Sequence, residues 1–452
     1  MKVGVVGAGP AGLFSAYELA DKTRHEVFII EQGGDIDNRQ HRLHGVGGAG
    51  AFSDGKLNMD PTIGGNLLEF VSQKEAQELL SYVEDLFTQL GVDCSMSVDE
   101  ENEGRIKQFQ QLAAKNDIEF VPYKTLHIGT DELPKIISNF RGMLKERAVQ
   151  FLTNARANDI FLNGNKKRVV VRQTTPESGV MERILEFDAL VLVPGRSGAR
   201  WLKAQCDKLG IEKRYGPVDV GVRVEVPAPV MDYVVSLSYD AKLRIPRTPT
   251  YGDFVRTFCT CPKGFVVAEE HDGFVGVNGH SEIGRRSANT NFAVLSQVVL
   301  TEPLEDTNKY STDTAKLAYD IGGGKPIIQR LGDLEKGRRS TWERILQNEV
   351  KPTLTEVTPG DITMALTARV MTNIKESLYK LDKIIPGVAD DSTLLYAPEF
   401  KTYALRVLTN EQMETNVPNV YVAGDGAGIS RGIVGAAWSG ILAARGLAAK
   451  NA

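Results

Sequence analysis

Apolar residues near the amino terminus follow two spacings in succession. Val3, Val5 and Val6 make a short buried-strand run, and Leu13 to Ala20 carries apolar residues at helical intervals. Val27-Phe28-Ile29-Ile30 then predicts a second strand that ends at Glu31. Further on, the spacing predicts helices over 66–90 (Leu67, Leu68, Phe70, Val71), 104–116 and 133–147. Strand patterns fall at 118–122, 149–152, 159–162, 167–173 and 184–187, and the fully apolar Ala189-Leu190-Val191-Leu192-Val193 predicts a buried strand. A helix over 199–209 closes this portion.

From residue 216 the texture changes. Segments 218–226 and 230–239 alternate as strands do, and 251–259, 264–269 and 274–278 continue the series. Helical patterns interrupt at 306–321 and 339–348. Near the carboxyl end, Asn419-Val420-Tyr421-Val422-Ala423 is again a buried strand, followed by an alanine-rich helix reaching Leu447. Alternation of strands with helices predicts an α/β fold with a Rossmann-type domain. The expected division is a nucleotide-binding domain in three parts (1–60, 125–215 and 401–452), a largely helical insertion (61–124) and a mostly antiparallel substrate domain (216–400). No internal repeat or low-complexity linker separates these parts, so the two domains are expected to be intercalated.

Composition narrows the partners. The 452 residues are 42% hydrophobic and 25% charged, ordinary values for a globular protein. A net charge of −5 argues against general binding to nucleic acid or an anionic membrane. Four cysteines in so long a chain make no disulfide framework, and no apolar run reaches the length of a membrane span. A cytoplasmic protein is expected, and nothing in the pattern sets an oligomeric state.

Glycine decides the chemistry. Gly7-Ala8-Gly9-Pro10-Ala11-Gly12 is a complete G-x-G-x-x-G between the first strand and its helix, with Glu31 nineteen residues beyond Gly12. Gly7 allows the tight turn, Gly9 lets backbone approach a pyrophosphate, and Gly12 lets helix and strand pack closely. The helix start offers free N–H groups and the positive end of a dipole, and Glu31 is placed to accept ribose hydroxyls. Gly45 to Gly50 matches the same spacing, but no strand precedes it and no helix follows. It is read as a loop lying close to a flat ligand, with Ser53 and Lys56 as its polar groups. Gly195 turns the chain at the end of a buried strand, and Gly424-Asp425 does so again before Gly432-Ile433 and the last helix. Asp425 on such a turn suits a sugar-alcohol hydroxyl.

With these pieces in order, the chain resembles FAD-binding oxidoreductases of the glutathione-reductase-like superfamily. The carrying motifs are the opening glycine turn with Glu31, Val191-Leu192-Val193-Pro194-Gly195, and Val420-Tyr421-Val422-Ala423-Gly424-Asp425. More narrowly it is similar to a family of FAD-dependent dehydrogenases, through Gly47 to Leu57, Asp219 to Glu225, Arg256 to Pro262 and Val277 to Ser281. The resemblance implies FAD as cofactor. Gly7, Gly9, Pro10, Ala11 and Gly12 would cradle its pyrophosphate, and Glu31, with Gln32, would lie at the adenosine ribose. Ala157 and Gly195 would lie toward adenine, Asp425 at the ribityl chain, and Gly432 and Ile433 near the flavin ring. The loop bearing Gly48, Gly50, Ser53 and Lys56 would pass beside that ring. One departure lies at the turn Gly195-Arg196-Ser197-Gly198-Ala199-Arg200, where Pro194 precedes it in place of the small or hydroxyl residue that many relatives carry.

The expected function is an FAD-dependent oxidoreductase moving a hydride between a small organic substrate and flavin. A flavin monooxygenase is the nearest alternative, and a redox-neutral or structural FAD-binding role the alternative from another class. Only one complete fingerprint is present, so NAD(P)H enters at most as a transient electron donor. Lys56, Ser53 and His280 are the candidate catalytic groups, with no metal site expected. His41 and His44 flank the glycine loop; Arg223, Arg256 and Arg406 are candidates for holding a carboxylate. Cys259 and Cys261 on one predicted strand share a face and are either a redox pair or two small packed residues.

Overall fold

The computed structural model describes the chain apart from residues 40–42, 54, 95–99, 124, 129–131, 176–178, 272, 282–283, 302–305, 402–404 and 451–452. His41 therefore lies outside the described residues. Two compact units emerge: residues 1–96, 123–216 and 404–452 form the first, and 97–122 with 217–403 the second.

The first unit is built on a five-stranded, wholly parallel sheet. Its order is Val420–Val422, Ala189–Leu192, Lys2–Val6, Glu26–Ile30, Gln150–Leu152. The central strand is the valine run of the amino terminus, with Val5 opposite Ile29 on one side and Val191 on the other. Helices Pro10–Lys22 and Gly432–Lys450 pack against each other: the Ser15 hydroxyl donates to the Gly440 carbonyl at 2.8 Å, and a Cβ on Gly440 would stand 2.2 Å from the Ala11 oxygen. On another side of the first helix, the Phe14 ring meets Phe140 edge-on at 4.9 Å and Phe87 at 5.4 Å, joining helices Leu133–Glu146 and Gln73–Gln89 to the core. Leu13 and Leu19 are fully buried, each contributing roughly 2–3 kcal/mol by area removed from water. A three-stranded antiparallel sheet, Ala155–Asn163, Lys166–Thr175 and Gly179–Phe187, completes the unit. Gly432–Lys450 is the one described helix long and apolar enough to cross a membrane, and most of it is buried in this core.

The second unit holds an eight-stranded sheet whose pairings are antiparallel except at one edge. Its centre is Val218–Pro227, flanked by Asn289–Val298 and Leu394–Lys401. The odd-numbered and even-numbered residues of the central strand differ in kind. Val218, Val220, Val222, Val224 and Val226 enter the apolar core, which places Asp219, Arg223 and Glu225 on the opposite face. A hairpin, Phe265–His271 with Phe274–His280, belongs to the same unit.

Two expectations are corrected. The stretch 61–124 is not one insertion: 97–122 goes with the second unit, because Glu119–Val121 pairs with Lys242–Ile245 at the sheet edge. Residues 230–239 do not form a strand. Ala228–Leu237 is a helix whose buried Ala228, Met231, Val234 and Leu237 recur every third residue. Pro229 in the first turn suits that start, and the apparent alternation of valines was a short sample of the helical period.

Candidate FAD site

All four glycine turns picked out above meet in the first unit, around one cavity of about 590 Å³, within the size range of small-molecule and cofactor pockets. Its walls include Gly7, Gly9, Pro10 and Ala11 from the first turn, Glu31 and Gln32 after the second strand, and Gly48, Gly50, Ser53 and Lys56 from the glycine-rich loop. Gly195, Gly424, Asp425, Gly432 and Ile433 also line it.

The first turn is shaped by what its glycines leave out. At Gly7, with φ +115°, a Cβ would stand 2.2 Å from the Val193 carbonyl oxygen; at Gly12 it would stand 2.0 Å from the Gly7 oxygen. Gly12 is therefore a packing residue behind the cavity wall. The helix begins at Pro10 without a side-chain cap, so its first N–H groups and dipole are left for a ligand. Off Gly195 and Gly432 a Cβ would enter open space, as expected where backbone borders a bound molecule.

Glu31 is 6% exposed and heavily engaged. Its Oε2 accepts the Ala8 N–H at 2.9 Å, and its Oε1 accepts those of Gly33 at 2.8 Å and Gly45 at 2.9 Å. A carboxylate offers about four lone-pair positions. Three are occupied by backbone, so Glu31 has room for one ribose hydroxyl rather than two.

The glycine-rich loop is lashed to the opening turn. The Gly47 N–H donates to the Ala8 carbonyl at 2.8 Å, and a Cβ on Gly48 would stand 2.9 Å from the Gly9 Cα. Its glycines thus rest on the turn suited to a pyrophosphate, and the loop reaches the rest of the cavity with Ser53 and Lys56. Arg39 holds this arrangement: its Nη1 donates to the carbonyls of Val46 at 2.8 Å and Gly48 at 2.9 Å, and its guanidinium lies over the Phe52 ring. Burial pushes its pKa down, with the Glu31 charge opposing. No local motif in the sequence marks Arg39. Its role as a clamp on two carbonyls depends on a loop path that spacing does not show.

At the carboxyl-terminal turn, Asp425 accepts from Arg196 Nε at 3.1 Å and from the Ser430 hydroxyl at 3.2 Å. Burial raises its pKa, opposed by Arg196, Arg431 and Ser430. Arg196 also lines the cavity and is 71% exposed at its side chain, so it can move from Asp425 to a bound anion. The sequence flagged this turn as a departure without assigning Arg196 a task.

Other predicted residues fall differently. Ser53 caps its own short 3-10 turn, donating to the Gly50 carbonyl at 3.0 Å. Gln32 reaches the His44 ring at 2.8 Å. Ala157 is buried in the three-stranded sheet and is not among the cavity-lining residues. His280 ends a hairpin strand of the second unit, exposed. The three arginines proposed for a carboxylate are engaged: Arg223 with Glu399, Arg256 with Asp219, and Arg406 with Glu69. Among the described residues no cluster of three metal-ligating side chains occurs.

Comparison with known proteins fits this geometry. Residues 5–52 match the NAD(P)-binding Rossmann-like domain, and residues 217–402 match the FAD-dependent protein, C-terminal domain-like family. The chain thus carries a domain similar to those of FAD-dependent proteins. Its cofactor is FAD. An uncharacterized protein of Clostridium beijerinckii is 27% identical to this one over 97% of this chain and 79% of its own length. Among solved structures, glycine oxidase from Bacillus cereus shows a TM-score of 0.37 at 14% identity, covering 99% of this chain and 95% of that one. Glycine oxidase from Geobacillus kaustophilus shows 0.36 at 13%, covering 99% and 94%.

Proposed function

We propose that the protein is an FAD-dependent oxidoreductase of the dehydrogenase type, passing a hydride equivalent between a small organic substrate and FAD. The observation that carries this reading is the single cavity joining the amino-terminal glycine turn to the Gly424–Ile433 turn. A dinucleotide needs the first grip, and a flavin with its ribityl chain needs the second. Gly7 to Ala11 and the helix start behind them would hold the pyrophosphate, Glu31 one ribose hydroxyl, and Asp425 the ribityl chain. The start of the last helix, at Gly432 and Ile433, would offer N–H groups and positive dipole where negative charge accumulates on reduction. When bound, FAD supplies a two-electron acceptor.

Of the three polar candidates, Lys56 has the best claim to the substrate side. It lines the cavity from the short strand Lys56–Asn58, whereas Ser53 serves its own turn and His280 belongs to another unit. Lys56 would hold an anionic or carbonyl group in place and keep it charged-paired during transfer.

The test is optical. Purified protein should carry a flavin spectrum, or take up FAD on reconstitution, and should bleach anaerobically with one member of a panel of amino acids, amines, hydroxy acids and reduced nicotinamides. Slow return of colour in air supports a dehydrogenase. Rapid return with a hydroxylated product would transfer the assignment to a monooxygenase. A flavin that no donor bleaches would point to a structural role.

A further inference from the structure

The second unit contains a buried group of side chains that does not line the cavity described above. Strand Val255–Cys261 is bulged where Cys259 and Cys261 lie: Phe258 pairs with Ala293 and Cys261 with Asn291, so two residues stand opposite one. Cys259 adopts φ +48°, in the left-handed region that a residue with a side chain enters only when its surroundings hold it there. On a flat strand two thiols one residue apart would stand well separated; here Sγ to Sγ is 3.9 Å. Both cysteines are reduced, Cys259 half-buried and Cys261 buried at 3% exposure.

Beneath them lies a buried cation. Arg223 is fully buried, and its Nη2 donates to the Cys259 carbonyl at 2.6 Å and to Cys261 Sγ at 3.3 Å. Its Nε donates to Asn291 Oδ1 at 2.8 Å. Glu399, equally buried, accepts from Arg223 at 3.3 Å and is shared with Lys401 at 3.2 Å. Two cations around one carboxylate leave the group one positive charge in excess, which a sulfur anion would neutralise. Room for the guanidinium depends on Gly279, whose Cβ would fall 1.6 Å from Arg223 Nη2.

We propose that Cys259 and Cys261 are a redox-active dithiol that closes to a disulfide by exchange with a low-molecular-weight disulfide. Cys259, the accessible sulfur, attacks as its thiolate, giving its proton to solvent and releasing one thiol of the oxidant. Cys261 then attacks the Cys259 sulfur of the mixed disulfide, its proton passing to the departing thiolate, which leaves as the second thiol. Two protein thiols are oxidised, one external disulfide is reduced to two thiols, and the Cys259–Cys261 bond forms. The order follows access, since Cys261 is shielded by the strand itself. Its thiol is also pushed up by the neighbouring Cys259 sulfur and by burial, with Arg223 and Ser281 opposing, which suits a resolving residue better than an attacking one. The pair belongs to the second unit and needs no flavin for this exchange.

The experiment incubates the full-length protein with glutathione disulfide, quenches in acid, alkylates under denaturing conditions and maps the peptides by mass. The expected product is a peptide holding both residues, lighter by two hydrogen atoms and carrying no alkyl group, reverting with reduced glutathione. In C261S the reaction should stop at a glutathione adduct on Cys259; in C259S, Cys261 should remain an alkylatable thiol. Wild-type peptide alkylated at both residues, or carrying stable glutathione on Cys259 without closure, overturns the proposal. An adduct on Cys261 in C259S overturns the order of attack.

Discussion

Replacing Glu31 by glutamine isolates the carboxylate that ties the glycine turns together. Three backbone N–H groups converge on it, two on Oε1 and one on Oε2. Glutamine keeps the size but has one acceptor oxygen. Placed at the Oε1 position, that oxygen retains Gly33 and Gly45, and the amide NH2 then confronts the Ala8 N–H. One charge-assisted hydrogen bond is lost, about 1.5–3 kcal/mol, and a buried donor is left unmet, about 1–3 kcal/mol. The sum is roughly 3–5 kcal/mol of stability in the first unit. At about 2–4 °C per kcal/mol for a domain of this size, E31Q apoprotein should melt roughly 6–20 °C below wild type by circular dichroism. E31A should fall at least as far. Because only one acceptor position faces a ligand, FAD affinity measured on folded protein should weaken about tenfold and not more than a hundredfold, one hydrogen bond's worth. An E31Q melting point within about 1 °C of wild type would show that these amides find other partners, and the account of the turn would fail.

Burial holds the Asp425 carboxyl above its ordinary range, and hydroxyl donors favour its ionised form, so FAD binding should expel a proton there. Affinity should then decline as pH falls through the raised pKa, measured by fluorescence titration, and D425N should be weaker and flat over that window. The apoprotein moves oppositely, Asp425 contributing stability below about pH 4 that is lost as pH rises through its folded pKa. R196A should weaken FAD binding and lessen its salt dependence while changing apoprotein stability by less than about 1 kcal/mol, since the Arg196–Asp425 pair is exposed on the arginine side. In the second unit, burial would raise Asp333, but Ser340, Arg338, Arg344 and Arg330 outweigh it and the pKa is lowered. The stability it lends is present above about pH 4 and lost as pH falls through the folded value; D333N, which takes the shared carboxylate from three partly exposed arginines and Ser340, should cost about 1–3 kcal/mol at neutral pH in urea unfolding. K56M should leave FAD affinity within about tenfold and slow anaerobic flavin reduction by about a hundredfold or more; equal rates would remove Lys56 from the substrate side.

The parallel sheet, the opening turn and the cofactor were legible because each rests on local rules. A strand buried on both faces needs an unbroken apolar run, and Gly7 and Gly12 stand where any Cβ would strike backbone. Those constraints act within a few residues and leave their mark in the residue types. The same locality explains the error at Ala228–Leu237: the apolar residues of so short a stretch satisfy either period, and packing of one face against the core decides between them.

What the chain could not disclose by itself depends on groups far apart in it. The sequence determined that Asp425 follows a glycine turn; only folding set Arg196, more than two hundred residues earlier, against it. The sequence likewise offered Arg223, Arg256 and Arg406 as equals for an anionic ligand. Tertiary structure paired each with a carboxylate and sank Arg223 beneath two thiols. Side-chain charge is written in the sequence, but whether that charge is available or already neutralised is decided by which strand becomes its neighbour.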